Sequence, residues 1–433
     1  GQQTLARVKI RLQFNRTCRG TPPVIGERRT ARAGEEGVLA RESQSTLPLS
    51  RTARLGAIIT GGLFAATLLG AATLSVLLAR AVITPPKKHI DDVRILGRDA
   101  LTITLSATID SLTPGRYSLW FSGDSGHAQI GEILRFDTQT VTRELIAVEF
   151  GDLSHARRGR LSGWYYLTPT ALGYPFSEVK VATELGEAPA WLIPSAVPSE
   201  QWMIGVHGRA VRRQEALRSV PVFREAGYDC LLISYRNDGD APASSDNRYS
   251  LGDAEWRDVE AAMHFAREHG AEEIVLMGWS MGGATVLQAL TRSPHAAVVT
   301  GVVLESPVVD WVTALQFQGV AYRLPAVLRL AVLALLSSRQ TRWLTGQSSA
   351  IDLARMDLVA RSAELNTPIL LLHSDDDGFV PSTASRALAA ARPDLVTYDW
   401  FTTARHTRLW NYDRDRWNAN IRSWLAALQH PAG

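Results

Sequence analysis

The sequence lacks a strong excess of charge of either sign. Its 433 residues carry a formal net charge of only +3, and this small value is unevenly distributed. Residues 1–54 hold eleven arginine and lysine side chains against four glutamates, so the rest of the chain has a net charge of −4. No segment after this tail is both basic and rich in aromatic residues, which argues against nucleic acid as a partner.

Cysteine is also scarce, and the two that are present give no indication of the redox compartment. Cys18 and Cys230 lie on opposite sides of the membrane helix predicted below, so they could not pair within one chain. A calcium loop is excluded as well, since the acidic run at residues 375–377 lacks the downstream glutamate that such a loop requires. We therefore expect neither a metal nor a cofactor.

The chain is too long for one ordinary domain, and we expect two or three units with appendages. Residues 1–54 are rich in arginine, glycine, threonine and serine and show no apolar periodicity after Phe14, which predicts a largely disordered basic tail. The sequence begins at Gly1 rather than at a methionine. One hypothesis is that the tail includes residues from an upstream-extended reading frame.

A long uncharged run follows the tail. Residues 55–79 contain no charged side chain, and as a helix this run spans roughly 37 Å, enough to cross a bilayer. We predict an uncleaved transmembrane anchor over residues 55–83. A secretory signal is the alternative, because Arg51 and Arg54 precede the run and residues 79–81 resemble a cleavage site. The run exceeds the ~7 to 15 residues of a signal core, which favours the anchor.

The charges that flank the anchor favour two opposite orientations. The basic tail favours retention of the N-terminus in the cytoplasm, whereas a second basic group just after the helix favours the reverse. This second group consists of Arg80, Lys87, Lys88, Arg94 and Arg98. We expect the tail to prevail, which places the folded part of the chain outside the cytoplasm, at the cell membrane.

Residues 84–175 are expected to form a linker and a small β-rich module. Two consecutive prolines stiffen the start of this segment. Apolar and polar residues then alternate at residues 101–105 and 117–121, as in strands, and turn signals such as Pro114 separate the runs. The role expected for the module is that of a spacer packed against the following domain; the alternatives are that it narrows access to a site in that domain or mediates a partner contact.

From residue 176 the pattern predicts a mostly parallel α/β sheet. A hairpin at residues 179–183 and 190–193 is followed by strands and helices in alternation, which is typical of a sheet with helices on both faces. An aliphatic insertion at about residues 308–363 interrupts the alternation, and we interpret it as a helical lid. Its apolar face suits acyl chains, and it equally suits packing on the core.

Residues 278–282 form the motif G-x-S-x-G where an apolar strand ends and a helix begins. A serine on such a sharp turn is strained, and side chains two positions before or after it would collide with their neighbours, so Gly278 and Gly282 flank it. The new helix also directs free backbone N–H groups toward the place where an oxyanion forms during acyl transfer. Ser280 is therefore the predicted nucleophile.

A serine hydroxyl of ordinary pKa needs a base, and the base needs an orienting acid. Both follow predicted strands farther along the chain, the acid within residues 375–377 and the base at His406. Serine, aspartate and histidine in this order, each after a strand, are the arrangement of one known fold. Glu305 and Asp310 follow another strand and are alternative acids.

These motifs resemble those of the α/β-hydrolase superfamily over about residues 176–430. Residues 373–381 are similar to the segment in which the family carries its acid, with Ser374 in place of a glycine. The resemblance implies that Asp377 is the acid. Asp375 and Asp376 are then interpreted as solvated turn residues.

The family's early histidine–glycine turn is present as His207 and Gly208, just after an apolar strand. The resemblance implies that the backbone N–H groups of Arg209 and Met281 form the oxyanion hole, while His207 makes a structural hydrogen bond.

The expected fold is an α/β hydrolase with a helical lid, preceded by a β-rich module and one transmembrane helix. The expected function is that of a membrane-anchored serine hydrolase. It would cleave an ester, thioester or amide bond in a small-molecule or lipid-like acyl substrate through an acyl-enzyme, using Ser280, His406 and Asp377. Two alternatives stay open, namely an acyltransferase with the same triad and a non-catalytic binding protein on a hydrolase scaffold.

Overall fold

The computed structural model describes residues 51–86 and 89–429. The predicted tail up to residue 50, with Cys18, and the basic pair Lys87 and Lys88 lie outside the described residues. One compact unit begins at Gly61 and continues through the rest of the chain.

The first helix, α1 (Arg51–Ile83), begins four residues before the predicted anchor. Its segment Ala65–Ile83 is long and apolar enough to cross a membrane. Most of this segment is exposed, but its last turns pack against protein, and Ala79 and Ile83 are fully buried. The helix therefore ends inside the folded unit rather than in a free linker.

The segment after α1 forms a closed, six-stranded antiparallel barrel, so the predicted β-rich module is confirmed. Its order around the barrel is β1-β2-β5-β4-β3-β6. Alternate side chains point inward, because successive residues of a strand face opposite sides. Closure, which the sequence pattern did not predict, leaves the sheet without a free edge. The strands are β1 (Val93–Arg98), β2 (Thr102–Ser106), β3 (Tyr117–Phe121), β4 (Gly126–Phe136), β5 (Thr140–Phe150) and β6 (Arg158–Ser162).

The second sheet has eight strands in the order β14-β13-β12-β11-β9-β10-β8-β7. The strands from β9 to β14 run parallel, and the predicted hairpin β7–β8 joins the edge antiparallel to β10. The strands are β7 (Ser177–Thr183), β8 (Gly186–Ile193), β9 (Gln201–Val206), β10 (Asp229–Ile233), β11 (Glu273–Trp279), β12 (Val299–Glu305), β13 (Ile369–Ser374) and β14 (Val396–Phe401).

Helices cover both faces of this sheet, because its central strands are apolar on both sides. In β11, Ile274 and Leu276 face one core while Val275 and Met277 face the other. The helices are α2 (Val220–Glu225), α3 (Trp256–Glu268), α4 (Met281–Arg292), α5 (Trp311–Ala321), α6 (Ala326–Ser337), α7 (Arg342–Thr345), α8 (Thr383–Ala391), α9 (Leu409–Tyr412) and α10 (Arg414–Gln429). Helices α5 to α7 lie within the segment interpreted as a lid.

Candidate functional site

Ser280 lies on the sharp turn between β11 and α4. Its φ of 51° and ψ of −116° are unfavourable for a residue with a side chain. The turn is tight because α4 begins directly under the end of β9: a Cβ on Gly282 would lie 2.2 Å from the carbonyl oxygen of Val206. A Cβ on Gly278 would lie 2.7 Å from the carbonyl oxygen of Gly282. Both glycines are thus required by close contact of backbone with backbone.

The structure brings the three predicted site side chains together in one hydrogen-bonded row. The distance from His406 Nε2 to Ser280 Oγ is 2.9 Å, and the distance from His406 Nδ1 to Asp377 Oδ2 is 2.7 Å. With the Nδ1–H donating to the carboxylate, Nε2 is left to accept from the serine hydroxyl. Each residue follows a strand of the sheet, β11, β13 or β14, at its carboxyl end.

Asp377 is held as a carboxylate although its side chain is buried. Burial alone would raise its pKa, but the neighbouring His406 charge and hydrogen bonds from His373 and His406 outweigh burial and hold the pKa well below its usual range. The other carboxylate oxygen accepts the backbone N–H groups of Phe379 and Val380, each at 2.8 Å. One oxygen therefore fixes the loop, and the other orients His406.

The loop that carries His406 is fastened to the loop that carries the acid. The backbone N–H of Arg405 donates to Asp376 Oδ1, and that of Ala404 donates to Ser374 Oγ, both at 2.9 Å. On the other side, Thr407 N–H donates to Ser306 Oγ at 3.1 Å. The interpretation of Asp376 as a solvated turn residue therefore needs correction. Its carboxylate accepts a hydrogen bond from a loop 29 residues farther along the chain.

The two backbone N–H groups predicted to form an oxyanion hole are those of Arg209 and Met281. Within the described residues, neither group donates a hydrogen bond to another group of the protein. The neighbouring Gly208 N–H is already used by Glu215 Oε2, at 2.6 Å. His207 donates from Nδ1 to the Gly208 carbonyl oxygen at 2.8 Å, and burial lowers its pKa to about 4, so this imidazole is neutral.

Glu215 and the side chain of Arg209 were missed by the sequence analysis. Glu215 is buried and shapes the turn after β9 through Gly208. The guanidinium of Arg209 donates to the carbonyl oxygens of Ala81 and Thr84, at 3.0 and 3.3 Å, and lies over the ring of Tyr249. A cation at the carboxyl end of a helix is favourable, so Arg209 ties α1 to the turn after β9.

The alternative acids are occupied elsewhere. Glu305 accepts hydrogen bonds from the indoles of Trp279 and Trp417, at 3.0 and 2.9 Å, and from the Leu409 N–H. Asp310 caps the start of α5 through the N–H groups of residues 312 and 313. Asp375 pairs with Arg386 at the surface. None of these three carboxylates forms a hydrogen bond with His406 within the described part of the chain.

Two cavities meet at the row of three side chains. One has a volume of about 530 Å³, is lined mainly by apolar side chains and includes Ser280. The other has a volume of about 350 Å³ and includes His406; charged and polar side chains line it together with apolar ones, and we call it the polar cavity for its charged groups. Phe379 lines both cavities, and its ring lies 5.2 Å from that of His406.

Comparison with known families assigns two segments of the chain. A family profile described as an alpha/beta hydrolase family matches residues 203–428. A second profile, described as a domain of unknown function (DUF8805), matches residues 93–162, which are the six strands of the barrel. A search of the curated proteins found no match.

Several solved esterase structures are similar to this chain at low identity. The Pyrococcus furiosus esterase Pf2001 is 18% identical, with 60% of this chain and 94% of that chain covered and a TM-score of 0.47. The esterase RhEst1 from Rhodococcus sp. ECU1013 is 18% identical, with 58% and 99% covered and a TM-score of 0.42. A thermophilic esterase from Thermogutta terrifontis is 18% identical, with 58% and 99% covered and a TM-score of 0.43.

Proposed function

The chain belongs to the alpha/beta hydrolase family and is a hydrolase, and we propose that it is a membrane-anchored serine hydrolase that works through an acyl-enzyme on Ser280. The observation that carries this proposal is the row Asp377–His406–Ser280, with contacts of 2.7 and 2.9 Å. These distances lie within the range at which a base takes a proton from a nucleophile. The same row favours an enzyme over a non-catalytic binding protein on this scaffold.

In the first half of the reaction, Ser280 Oγ attacks the carbonyl carbon of an ester, thioester or amide, and its proton moves to His406 Nε2. Asp377 stabilises the imidazolium through Nδ1–H. The backbone N–H groups of Arg209 and Met281 donate to the oxyanion of the tetrahedral intermediate. The bond to the leaving group then breaks as His406 Nε2 gives that group its proton.

In the second half, His406 takes a proton from water as the water oxygen attacks the acyl carbon. Collapse of this intermediate releases the carboxylic acid, and the proton on His406 returns to Ser280 Oγ. An alcohol or amine in place of the water would make the enzyme an acyltransferase. The polar cavity beside His406 gives such an acceptor a place to bind, so product analysis with added alcohol distinguishes the two activities.

Replacement of Ser280 tests the mechanism. Ser280→Ala should lower turnover of a chromogenic ester by about 10⁴-fold or more and abolish labelling by a fluorophosphonate, with unchanged folding. Ser423→Ala, an exposed serine on α10, is the matched control and should label like the wild type. Near-normal turnover by Ser280→Ala would exclude the mechanism, and a wild-type protein that neither labels nor turns over any ester would favour the binding protein.

The membrane part of the proposal rests on α1. Its exposed apolar segment has the length of a membrane span, and the basic tail before it favours a cytoplasmic N-terminus. We expect the full-length protein to stay with membranes after carbonate washing. A membrane-impermeant fluorophosphonate should label the protein in cells whose cytoplasmic membrane is intact and whose outer layers have been removed. Release into the soluble fraction as a shorter chain would indicate a cleaved signal instead.

A further inference from the structure

The two cavities at the site reach different members of the hydrogen-bonded row. The apolar cavity includes Ser280, the polar cavity includes His406, and Phe379 lines both. In acyl transfer the acyl group becomes bonded to the serine oxygen, while the leaving group receives its proton from the histidine. The chemistry therefore assigns the apolar cavity to the acyl chain and the polar cavity to the leaving group.

The wall of the apolar cavity is built jointly by α1 and the lid. Leu78, Ala81 and Val82 of α1 line it from one side, and Trp311, Leu315 and Val332 line it from the other. An apolar cavity of about 150 Å³ holds a benzene molecule, so about 530 Å³ has room for an acyl chain of roughly twelve carbons or more. The end of the proposed anchor is thus part of the candidate active site.

The end of α1 is held firmly in this position. The Tyr249 N–H donates to the Ile83 carbonyl oxygen at 2.8 Å, and Arg80 Nε donates to the Leu344 carbonyl oxygen of α7 at 2.8 Å. Arg209, whose backbone N–H is a proposed oxyanion donor, holds two further carbonyl oxygens of this end. Because the same helix would continue into the bilayer, the apolar cavity lies where that helix leaves the membrane.

The polar cavity is built jointly by the barrel and the His406 loop. Arg160, Ser162 and Trp164 contribute from β6 and the residues after it, facing Arg405 and Arg408. Asp110, between β2 and β3, bridges the last two side chains, with contacts of 3.5 and 3.2 Å. The lining holds charges of both signs, and its arginines are paired: Arg405 and Arg408 with Asp110, and Arg160 with Asp124 outside the lining. Such a surface both donates and accepts hydrogen bonds, which suits a neutral group bearing hydroxyls rather than an ion.

We propose that the substrate is a membrane-resident monoacyl amphiphile: an ester with one long acyl chain, seated between α1 and the lid, and a hydroxyl-bearing leaving group, seated against the barrel. This inference rests on the proposed function. In this inference α1 selects the acyl chain and the barrel selects the leaving group. Both elements lie outside the segment that matches the hydrolase profile.

The acyl half is tested with the full-length protein in liposomes and two p-nitrophenyl esters, the acetate and the dodecanoate. Ala81→Trp fills the cavity and should lower kcat/KM for the dodecanoate at least tenfold while leaving the acetate within twofold. Thr73→Trp places the same side chain on the exposed surface of the same helix, about 12 Å away, and should change neither. A kcat/KM for the dodecanoate that stays within twofold of the wild type in Ala81→Trp would overturn the assignment.

Loss of acetate turnover as well would indicate that Ala81→Trp folds incorrectly. Leu78→Trp, which enters the same cavity one turn earlier, then decides the question by the ratio of kcat/KM for the dodecanoate to kcat/KM for the acetate. The ratio also separates this inference from the proposed function. Wild-type protein inactive on both esters and unlabelled by a fluorophosphonate would defeat the proposed function, whereas an active enzyme with no chain-length response in the variants would defeat only the inference.

The leaving-group half is tested with two dodecanoate esters, of glycerol and of methanol. Arg160→Ala removes a donor from the polar cavity and should lower kcat/KM for the glycerol ester about tenfold, with the methyl ester within twofold. Arg158→Ala, on the exposed end of the same strand, is the matched control and should affect neither ester. The same loss on both esters, or no loss on either, would show that the barrel does not contact the leaving group.

Discussion

The barrel and the hydrolase domain each bury a charged side chain. The two side chains differ in whether a hydrogen-bonding group is left for a partner at the candidate site. Arg143 of the barrel is fully buried and donates to four carbonyl oxygens, those of Ser111, Thr113, Gly115 and Gly131, at 2.6 to 3.0 Å. Its guanidinium serves the fold alone. Asp377 of the hydrolase domain uses one oxygen for its own loop and directs the other to an imidazole that water reaches.

The difference shows how a buried charge serves either folding or chemistry. A buried ion must be compensated in both cases, because an unpaired charge in the protein interior is costly. In the barrel the partners are backbone carbonyls, which do not titrate. In the hydrolase domain one partner is His406, whose own charge is proposed to change within each turnover. Four substitutions test this contrast, in order of decreasing expected effect.

Asp377→Asn should give the largest effect, on activity and not on folding. The side-chain shape is kept, but the amide no longer stabilises the His406 imidazolium, and turnover should fall by about 10⁴-fold, roughly 5 kcal/mol in activation free energy. Steady-state kinetics on a chromogenic ester measures the loss. Asp375→Asn, a surface position in the same acidic run, is the control and should stay within threefold of the wild type.

Arg143→Met should do the reverse, with a loss of stability and little loss of activity in the molecules that remain folded. Four carbonyl oxygens lose their donor, which costs about 3 to 5 kcal/mol in the free energy of unfolding. Chemical denaturation followed by tryptophan fluorescence measures this change. Lys180→Met, which breaks only an exposed ion pair with Glu187, should change stability by less than about 1 kcal/mol. Equal effects of the two variants would show that the barrel tolerates the loss of the donor to these four carbonyl oxygens.

His207 provides the case of a buried group that is kept neutral. Burial lowers its pKa to about 4, below the value of about 6.5 expected in the unfolded chain, so the unfolded state binds a proton first as the pH falls. The wild type should therefore lose about 3 kcal/mol of stability from this residue between pH 6.5 and pH 4. His207→Gln should show a shallower loss over that window in denaturation curves taken at each pH. An unchanged slope would mean that the imidazole is charged in the folded protein.

Glu305→Gln should give the smallest effect and tests the rival acid directly. One carboxylate oxygen accepts both indole N–H groups and the other accepts the Leu409 N–H, and an amide has only one accepting oxygen, so we expect a loss of about 1 to 3 kcal/mol in stability. Turnover per folded molecule should stay within threefold. A fall of 10³-fold or more in turnover, without loss of fold, would assign the acid to Glu305 instead of Asp377.

Much of the fold could be predicted because its patterns are local. The apolar run before Ser280 and the glycines on either side of it describe a strand, a turn and a helix within about fifteen residues, and the family match confirms the α/β-hydrolase interpretation. The alternation in residues 101–121 likewise predicts strands, and the barrel confirms the β-rich module. The catalytic roles of Ser280, Asp377 and His406 stay predictions until activity is measured.

Other features could not be predicted, since they depend on residues far apart in sequence. The contacts of Arg209 with the end of α1 join positions more than 120 residues apart, and those of Glu305 with Trp417 join positions 112 apart. Neither pairing leaves a periodic pattern. For the same reason the sequence analysis favoured a spacer over a module that narrows access to the site, whereas the barrel contributes to the lining of a cavity there.

The sequence by itself determined which segments become strands and helices and which three side chains follow strands that could carry a hydrolytic site, because backbone preference and apolar spacing act over a few residues. Only the tertiary structure decided that the barrel closes, that the last turns of α1 form a cavity wall and that two differently lined cavities, one including Ser280 and the other His406, share Phe379. These features depend on how surfaces from distant parts of the chain pack together. The free energy of that packing is shared among residues that lie far apart in the sequence, so no short segment predicts it.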